Sequence, residues 1–193
     1  LKYLPADKAI LTGSPIRSEL LSGNRQNALN YCHLTEEKPV ILVVGGSSGS
    51  QFINEVVRGI LPELLKNYQV IHLCGKGNLD KSLHGTPGYA QFEYANQELS
   101  DMFALADIVI SRAGANSICE LLALHKPNIL IPLSANASRG DQILNAHSFE
   151  QQGFSMVIEE ENLSNVVLLD AVQKLYENRD QYITAMKESK QMN

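Results

Sequence analysis

Apolar and polar positions follow two rhythms along this chain. The short β-branched runs KAILTG (8–13), PVILVVG (39–45), YQVIHLCG (68–75), AQFEYA (90–95), ADIVIS (106–111), PNILIPL (127–133) and FSMVIE (154–159) predict strands. Between them SQFINEVVRGILPELLKN, ELSDMFALA, ANSICELLALH, DQILNAHSFEQQG and NLSNVVLLDAVQKLYENRDQY place apolar residues near i, i+3, i+4 and i+7, which predicts helices. Strand and helix alternate. Parallel neighbours need crossover connections and helices supply them, so the pattern predicts an α/β, Rossmann-like, doubly wound parallel sheet. The near-continuous apolar runs VILVV, IVI and ILI fit strands buried on both faces.

The first 38 residues break the rhythm: an isolated strand is followed by SPIRSELLSGNRQNALNYCHLTEEKP, a polar helical stretch that ends at a proline. Together with the start at Leu1 rather than Met, this predicts a piece of a longer protein cut between two domains. GKGNLDKSLHGTPGY (75–89) reads as a surface loop.

Composition narrows the functional classes. At 193 residues the chain is long enough for one α/β domain with a substantial core. Net charge is −5 and the 16 Lys and Arg are scattered, which argues against a nucleic-acid backbone as partner. Cys32, Cys74 and Cys119 are odd in number and far apart, as expected of reduced core thiols rather than a disulfide frame or zinc site. No run approaches the roughly 18–20 apolar residues needed to span a bilayer, and no signal-peptide pattern opens the chain, so a soluble chain is expected.

Three glycine-bearing turns follow strands: GGSSGS (45–50), GKGN (75–78) and SRAGAN (111–116). Ligands of open α/β sheets sit outside the carboxyl ends of the strands, and glycine lets a main chain approach a phosphate at a helix N-terminus. GGSSGSQ completes neither a G-x-G-x-x-G fingerprint nor a P-loop, so neither a nicotinamide nor a Walker-type nucleotide site is supported. The turn at 45–50 also admits a plain reading, a linker with Ser as helix cap.

Two further clusters carry alternatives. Glu120, early in the helix after SRAGAN, either complements the helix dipole or receives two vicinal ribose hydroxyls. Asp141, Gln142 and Asn145 gather at the first turns of another helix. They either hydrogen-bond sugar hydroxyls, after a small-residue loop long enough to close over a ligand, or serve as cap and solvated surface. His72 and His125 are expected near strand or helix ends, His33 and His84 in polar loops, and His147 on the helix of Gln142. No pair has trusted metal-ligand spacing, and no G-x-S-x-G elbow occurs.

Taken together, LTGSPIR, VVGGSSGSQFIN, GKGN, DMFALADIVISRAGANSICELLALHKPNILIPL and SRGDQILNA…FEQQG resemble the C-terminal, nucleotide-sugar-binding half of the MurG family of glycosyltransferases, from about Leu11 to about Glu160. The resemblance implies one half of a GT-B enzyme. Residues 1–38 would form the interdomain link and first strand and helix, and 39–193 the UDP-GlcNAc-binding domain, with the N-terminal acceptor domain absent. It implies inverting transfer of GlcNAc to a lipid-linked muramyl-pentapeptide in bacterial peptidoglycan synthesis, without cofactor or metal. The whole protein would lie in the cytoplasm, peripheral to the inner face of the membrane. By resemblance Gly45, Gly46, Ser47 and Ser48 approach the donor pyrophosphate with Arg17 as charge partner, and Ser111, Arg112, Ala113, Gly114 and Ala115 form the second glycine turn. Tyr94, Ala95 and Asn96 lie against uracil, Glu120 takes the ribose, and Asp141, Gln142 and Asn145 read GlcNAc. No catalytic residue is assigned to this half, which by the same resemblance binds UDP or UDP-GlcNAc weakly and transfers nothing alone. Two rival readings remain: another GT-B UDP-sugar enzyme (a glycolipid glucosyltransferase, a dolichol-linked GlcNAc transferase subunit or an epimerase), or a non-catalytic nucleotide-binding module.

Overall fold

The computed structural model describes residues 16–46, 50–135 and 140–189. The strand expected at 8–13 lies outside them. The others form one parallel sheet from β1 (Val40–Val44), β2 (Gln69–Leu73), β3 (Tyr89–Phe92), β4 (Ile108–Ser111), β5 (Asn128–Leu130) and β6 (Met156–Val157), in the order β3-β2-β1-β4-β5-β6. β1 is central, with Val44 level with Leu73 of β2 on one side and Ser111 of β4 on the other. FSMVIE keeps only two paired residues because β6 is an edge strand whose sole neighbour, β5, is itself three residues long.

The helices are α1 (Arg25–Cys32), α2 (Gln51–Asn67), α3 (Glu98–Leu105), α4 (Ala115–Ala123), α5 (Asp141–Gln151), α6 (Asn165–Glu177) and α7 (Arg179–Lys187). Because successive strand residues point to opposite faces, β1 divides its side chains between two cores. Val40 and Leu42 join Leu29, Met102, Leu121 and Phe149 of α1, α3, α4 and α5. Ile41 and Val43 join Ile53, Leu64, Leu168 and Leu175 of α2 and α6. Among the described residues no helix is long and apolar enough to cross a membrane.

Local chemistry sets the helix ends. Asn24 caps α1 by accepting from the N–H groups of Gln26 and Asn27, and Ser50 and Ser164 cap α2 and α6 through Ile53 N and Val167 N. Pro62 lies inside α2 without ending it, at the loss of one ladder hydrogen bond. The single helix expected over 162–182 is a correction: residues 160–162 make a 3₁₀ turn, and the helix breaks at Asn178. There Asn178 leaves the helical conformation, at φ −103° and ψ 11°, while its backbone N–H and side-chain amide both donate to Lys174 O, at 3.1 and 2.8 Å.

The polar segment before β1 is also split, into a 3₁₀ turn at Ser18–Ser22 and α1, with Gly23 between. Gly23 packs on the backbone of α3: a methyl group there would lie 2.0 Å from the Ser100 carbonyl oxygen. The neighbouring Asn24 N–H donates to Asp101 Oδ1 at 2.6 Å. Gly23→Ala is therefore expected to destabilise the chain by about 1–3 kcal/mol, an overpacking cost set against rigid main chain. Urea denaturation checks this, and a midpoint equal to wild type would show that the segment shifts freely.

Candidate functional site at the strand ends

Connectivity reverses at β1: the chain runs outward through β2 and β3, then crosses to β4 on the other side. That reversal parts the loops at the carboxyl ends of β1 and β4 and leaves a crevice. A cavity of about 370 Å³ occupies it, within the range of small-molecule sites. Val44, Leu73 and Ser111, the last residues of three neighbouring strands, line it together with Leu99 and Phe103 of α3 and Leu121 of α4. Arg17, Gly46, Glu93, Asn96, Ser117 and Glu120 add polar groups.

The turn after β1 begins with Gly45 and Gly46, and Gly46 has φ +90°, a left-handed conformation that favours glycine. The expected site residues Ser47 and Ser48 lie outside the described residues. The second glycine turn leads directly into α4, whose N-cap is Gly114 with no side chain capping it; Ala115 and Asn116 follow, exposed. The first N–H groups of α4 and the positive end of its dipole thus open towards the strand ends. Ala113 and Arg112 of the same turn are buried.

Glu120 sits on α4 beside the buried Ile118 and Leu121, and its carboxylate is held by Arg17 in a two-pronged ion pair, Nε to Oε1 at 2.8 Å and Nη2 to Oε2 at 3.0 Å. This hydrogen bond raises the Arg17 pKa above its ordinary value, against the lowering effect of burial. Tyr94, Ala95 and Asn96 line the same cavity, with Tyr94 strongly exposed. Seven expected site residues therefore converge on one chamber: Arg17, Gly46, Tyr94, Ala95, Asn96, Ser111 and Glu120.

Asp141, Gln142 and Asn145 fall at the start of α5, as expected, but outside the lining of that chamber. Asp141 is exposed and is not the cap: Gly140, at φ +81°, takes that position. Gln142 Oε1 accepts from Leu133 N at 3.1 Å, and Asn145 Nδ2 donates to Ala113 O at 3.1 Å, so α5 is tied to the segment after β5 and to the second glycine turn. Of the loop before α5, residues 136–139 are outside the described set.

Two buried networks under the site were not read from the sequence. Arg112 reaches across the strand ends: Nη1 donates to Ile131 O and Pro132 O at 3.1 and 3.2 Å, and Nη2 to Ser50 Oγ at 2.7 Å and to Glu160 Oε1. The only sequence signal was an arginine directly after the strand IVIS, whose first three residues are apolar. The second network surrounds His72, which stands near a strand end as expected, one residue before the end of β2. It lies within β2, fully buried, with Nδ1 on Tyr89 OH at 3.0 Å and Nε2 on Asn54 Oδ1 at 2.9 Å. Its pairing with polar residues on α2 and β3 lets a histidine stand in an apolar run. Cys32, Cys74 and Cys119 are free thiols, and burial pushes the Cys32 thiol up to about 12. No cluster of metal-ligating side chains occurs among the described residues.

Residues 40–193 match the glycosyltransferase family 28 C-terminal domain. Two similar proteins, from Lachnospira eligens (64% identical over 99% of this chain and 54% of the relative) and Clostridium perfringens (59% over 98% and 53%), share one name. It is UDP-N-acetylglucosamine--N-acetylmuramyl-(pentapeptide) pyrophosphoryl-undecaprenol N-acetylglucosamine transferase. The chain spans about half the length of the curated relatives it matches. Among solved structures, MurG of Acinetobacter baumannii aligns with a TM-score of 0.70 at 20% identity, over 90% of this chain and 51% of that one. The glycosyltransferase of kitacinnamycin aligns with 0.67 at 18%, over 91% and 42%. These distant structures share the doubly wound fold. Sequence and architecture converge: the chain belongs to the glycosyltransferase family 28 C-terminal domain family.

Proposed function

We propose that this chain is the donor-binding half of an inverting GT-B glycosyltransferase, which moves GlcNAc from UDP-GlcNAc to the lipid-linked muramyl-pentapeptide of peptidoglycan synthesis. The observation that carries the reading is the chamber at the β1/β4 reversal, where a carboxylate on α4, Glu120, and a left-handed glycine after β1, Gly46, line one cavity. A nucleoside diphosphate needs both, a bidentate acceptor for its ribose diol and a bare main chain for its phosphates. The names of the relatives supply the sugar and the acceptor.

In this reading residues 39–193 are the donor domain and 1–38 lead into it from the preceding domain. Gly45, Gly46 and the N-terminus of α2 receive the diphosphate with Arg17, helped by the turn from Ser111 to Ala115 at the head of α4. Tyr94, Ala95 and Asn96 face the uracil, Glu120 the ribose, and Asp141, Gln142 and Asn145 the GlcNAc. Gln142 and Asn145 each commit one amide atom to the protein, which leaves the other for a sugar hydroxyl. The acceptor hydroxyl attacks the anomeric carbon as the bond to UDP breaks, and the leaving diphosphate gains negative charge. Preorganised helix N-termini and Arg17 stabilise that charge without reorganising water. The acceptor is a lipid-linked sugar brought by the other half of the enzyme, at the inner face of the membrane, to which the whole protein is peripheral.

Calorimetric titration with UDP, UDP-GlcNAc, UDP-glucose and ADP tests the reading. UDP and UDP-GlcNAc are expected to bind and ADP not. Glu120→Ala should weaken both by about tenfold or more, the worth of hydrogen bonds to a charged acceptor. A chain that binds none of these nucleotides would overturn the proposal.

A further inference from the structure

Glu120 can hold a ribose only with its carboxylate open, and here Arg17 covers it. A carboxylate has one edge on which two donors can sit side by side, one per oxygen. A guanidinium and a vicinal diol both present a pair of donors to that edge, so they compete for it.

We infer that Arg17 is a specificity-determining residue. It occupies the Glu120 carboxylate in the empty chamber and yields it to a ribose that arrives with an anionic group able to take the guanidinium in exchange. The inference rests on the assignment of Glu120 to the ribose proposed above.

The pair is asymmetric in the way such an exchange needs. The Arg17 side chain is 56% exposed and that of Glu120 12%, so the arginine can leave with little loss of packing while α4 keeps the carboxylate fixed. Arg17 and Gly46 line one chamber, which puts the released guanidinium beside the turn that would receive the diphosphate. A nucleoside has to break the ion pair and strand Arg17 in water. A nucleotide trades one charge-assisted fork, to carboxylate, for another, to phosphate. Arg17 therefore penalises uridine and spares UDP, which tilts the chamber against the nucleoside and other ribose-bearing ligands without phosphate.

The test is an amide chemical-shift titration of the 193-residue chain with uridine and with UDP, using wild type, Arg17→Met, Arg17→Lys and Glu120→Gln. Arg17→Met is expected to bind uridine about fivefold more tightly than wild type, the worth of a partly exposed ion pair no longer broken. The same variant binds UDP no more tightly than wild type, so its preference for UDP over uridine falls by about fivefold or more. Arg17→Lys retains part of the preference, as a point charge without the fork. Uridine binding that is unchanged, weaker or absent in Arg17→Met overturns the exchange. Glu120→Gln separates the two levels. If it leaves both ligands unaffected, the ribose assignment fails and the inference with it. If it weakens both while Arg17→Met does not tighten uridine, only the exchange fails.

Discussion

Arg112→Met is expected to lower the unfolding free energy by about 3–5 kcal/mol, because a buried charge pair broken from one side leaves the other charge without compensation. Arg112 is 7% exposed, and the side chain of its partner Glu160 is 18% exposed. Methionine replaces much of the volume but none of the donors, so the carbonyls of Ile131 and Pro132 lose their partner as well. The contact to Ser50 Oγ also goes, and with it a brace on the cap of α2, the helix that follows the Gly45–Gly46 turn. Glu160→Gln added to Arg112→Met should recover part of the loss by removing the stranded charge. Urea denaturation measures both. A loss below about 1 kcal/mol would mean that the pair behaves as a surface salt bridge.

The second large effect is on acid stability and belongs to His72. Asn54 Nδ2 donates to Cys74 O at 2.8 Å, which turns Oδ1 towards the imidazole as an acceptor. This network assigns the proton to Nε2 and leaves Nδ1 to accept from the Tyr89 hydroxyl. Burial, reinforced by the charge of Arg58, lowers the His72 pKa from 6.5 to about 3. The folded form thus keeps His72 neutral where the unfolded chain would already have protonated it. Its contribution is complete above pH 6.5 and is lost as pH falls towards about 3. Within that window stability falls with a slope approaching about 1.4 kcal/mol per pH unit. His72→Gln should be less stable than wild type at neutral pH and show a shallower acid limb. Urea midpoints for both proteins from neutral pH down to pH 4 check this, and parallel curves would remove His72 as the source.

The fold was legible where one residue type decides the environment. VILVV has no polar side chain and no amphipathic face, which fits a strand covered on both sides, and it became the central β1. Glu120 was legible as a candidate because a carboxylate among Ile118, Leu121 and Leu122 needs a reason to be there. What stayed hidden depends on partners far along the chain. Nothing near Arg112 announces Ser50, Ile131 or Glu160, which come to it through three different crossovers. Likewise the bond between Glu120 and Arg17 spans 103 positions, and only the folded chain brings the two clusters together. The break at Asn178 was invisible for the opposite reason: a periodic apolar pattern runs straight through it, and one residue leaves the helical conformation, at φ −103° and ψ 11°.

The reversal that opens the chamber also sets the order in which the sheet is assembled as the chain is made. β1, β2 and β3 can pair once Phe92 has emerged, but the other edge of β1 waits for Ile108–Ser111. Until then the most apolar strand of the molecule offers a bare row of backbone donors and acceptors, the kind of edge that recruits other chains. The arrangement that leaves room for a ligand in the finished protein thus leaves the nascent one with a sticky flank, and the arrival of β4 both closes that flank and completes the pocket.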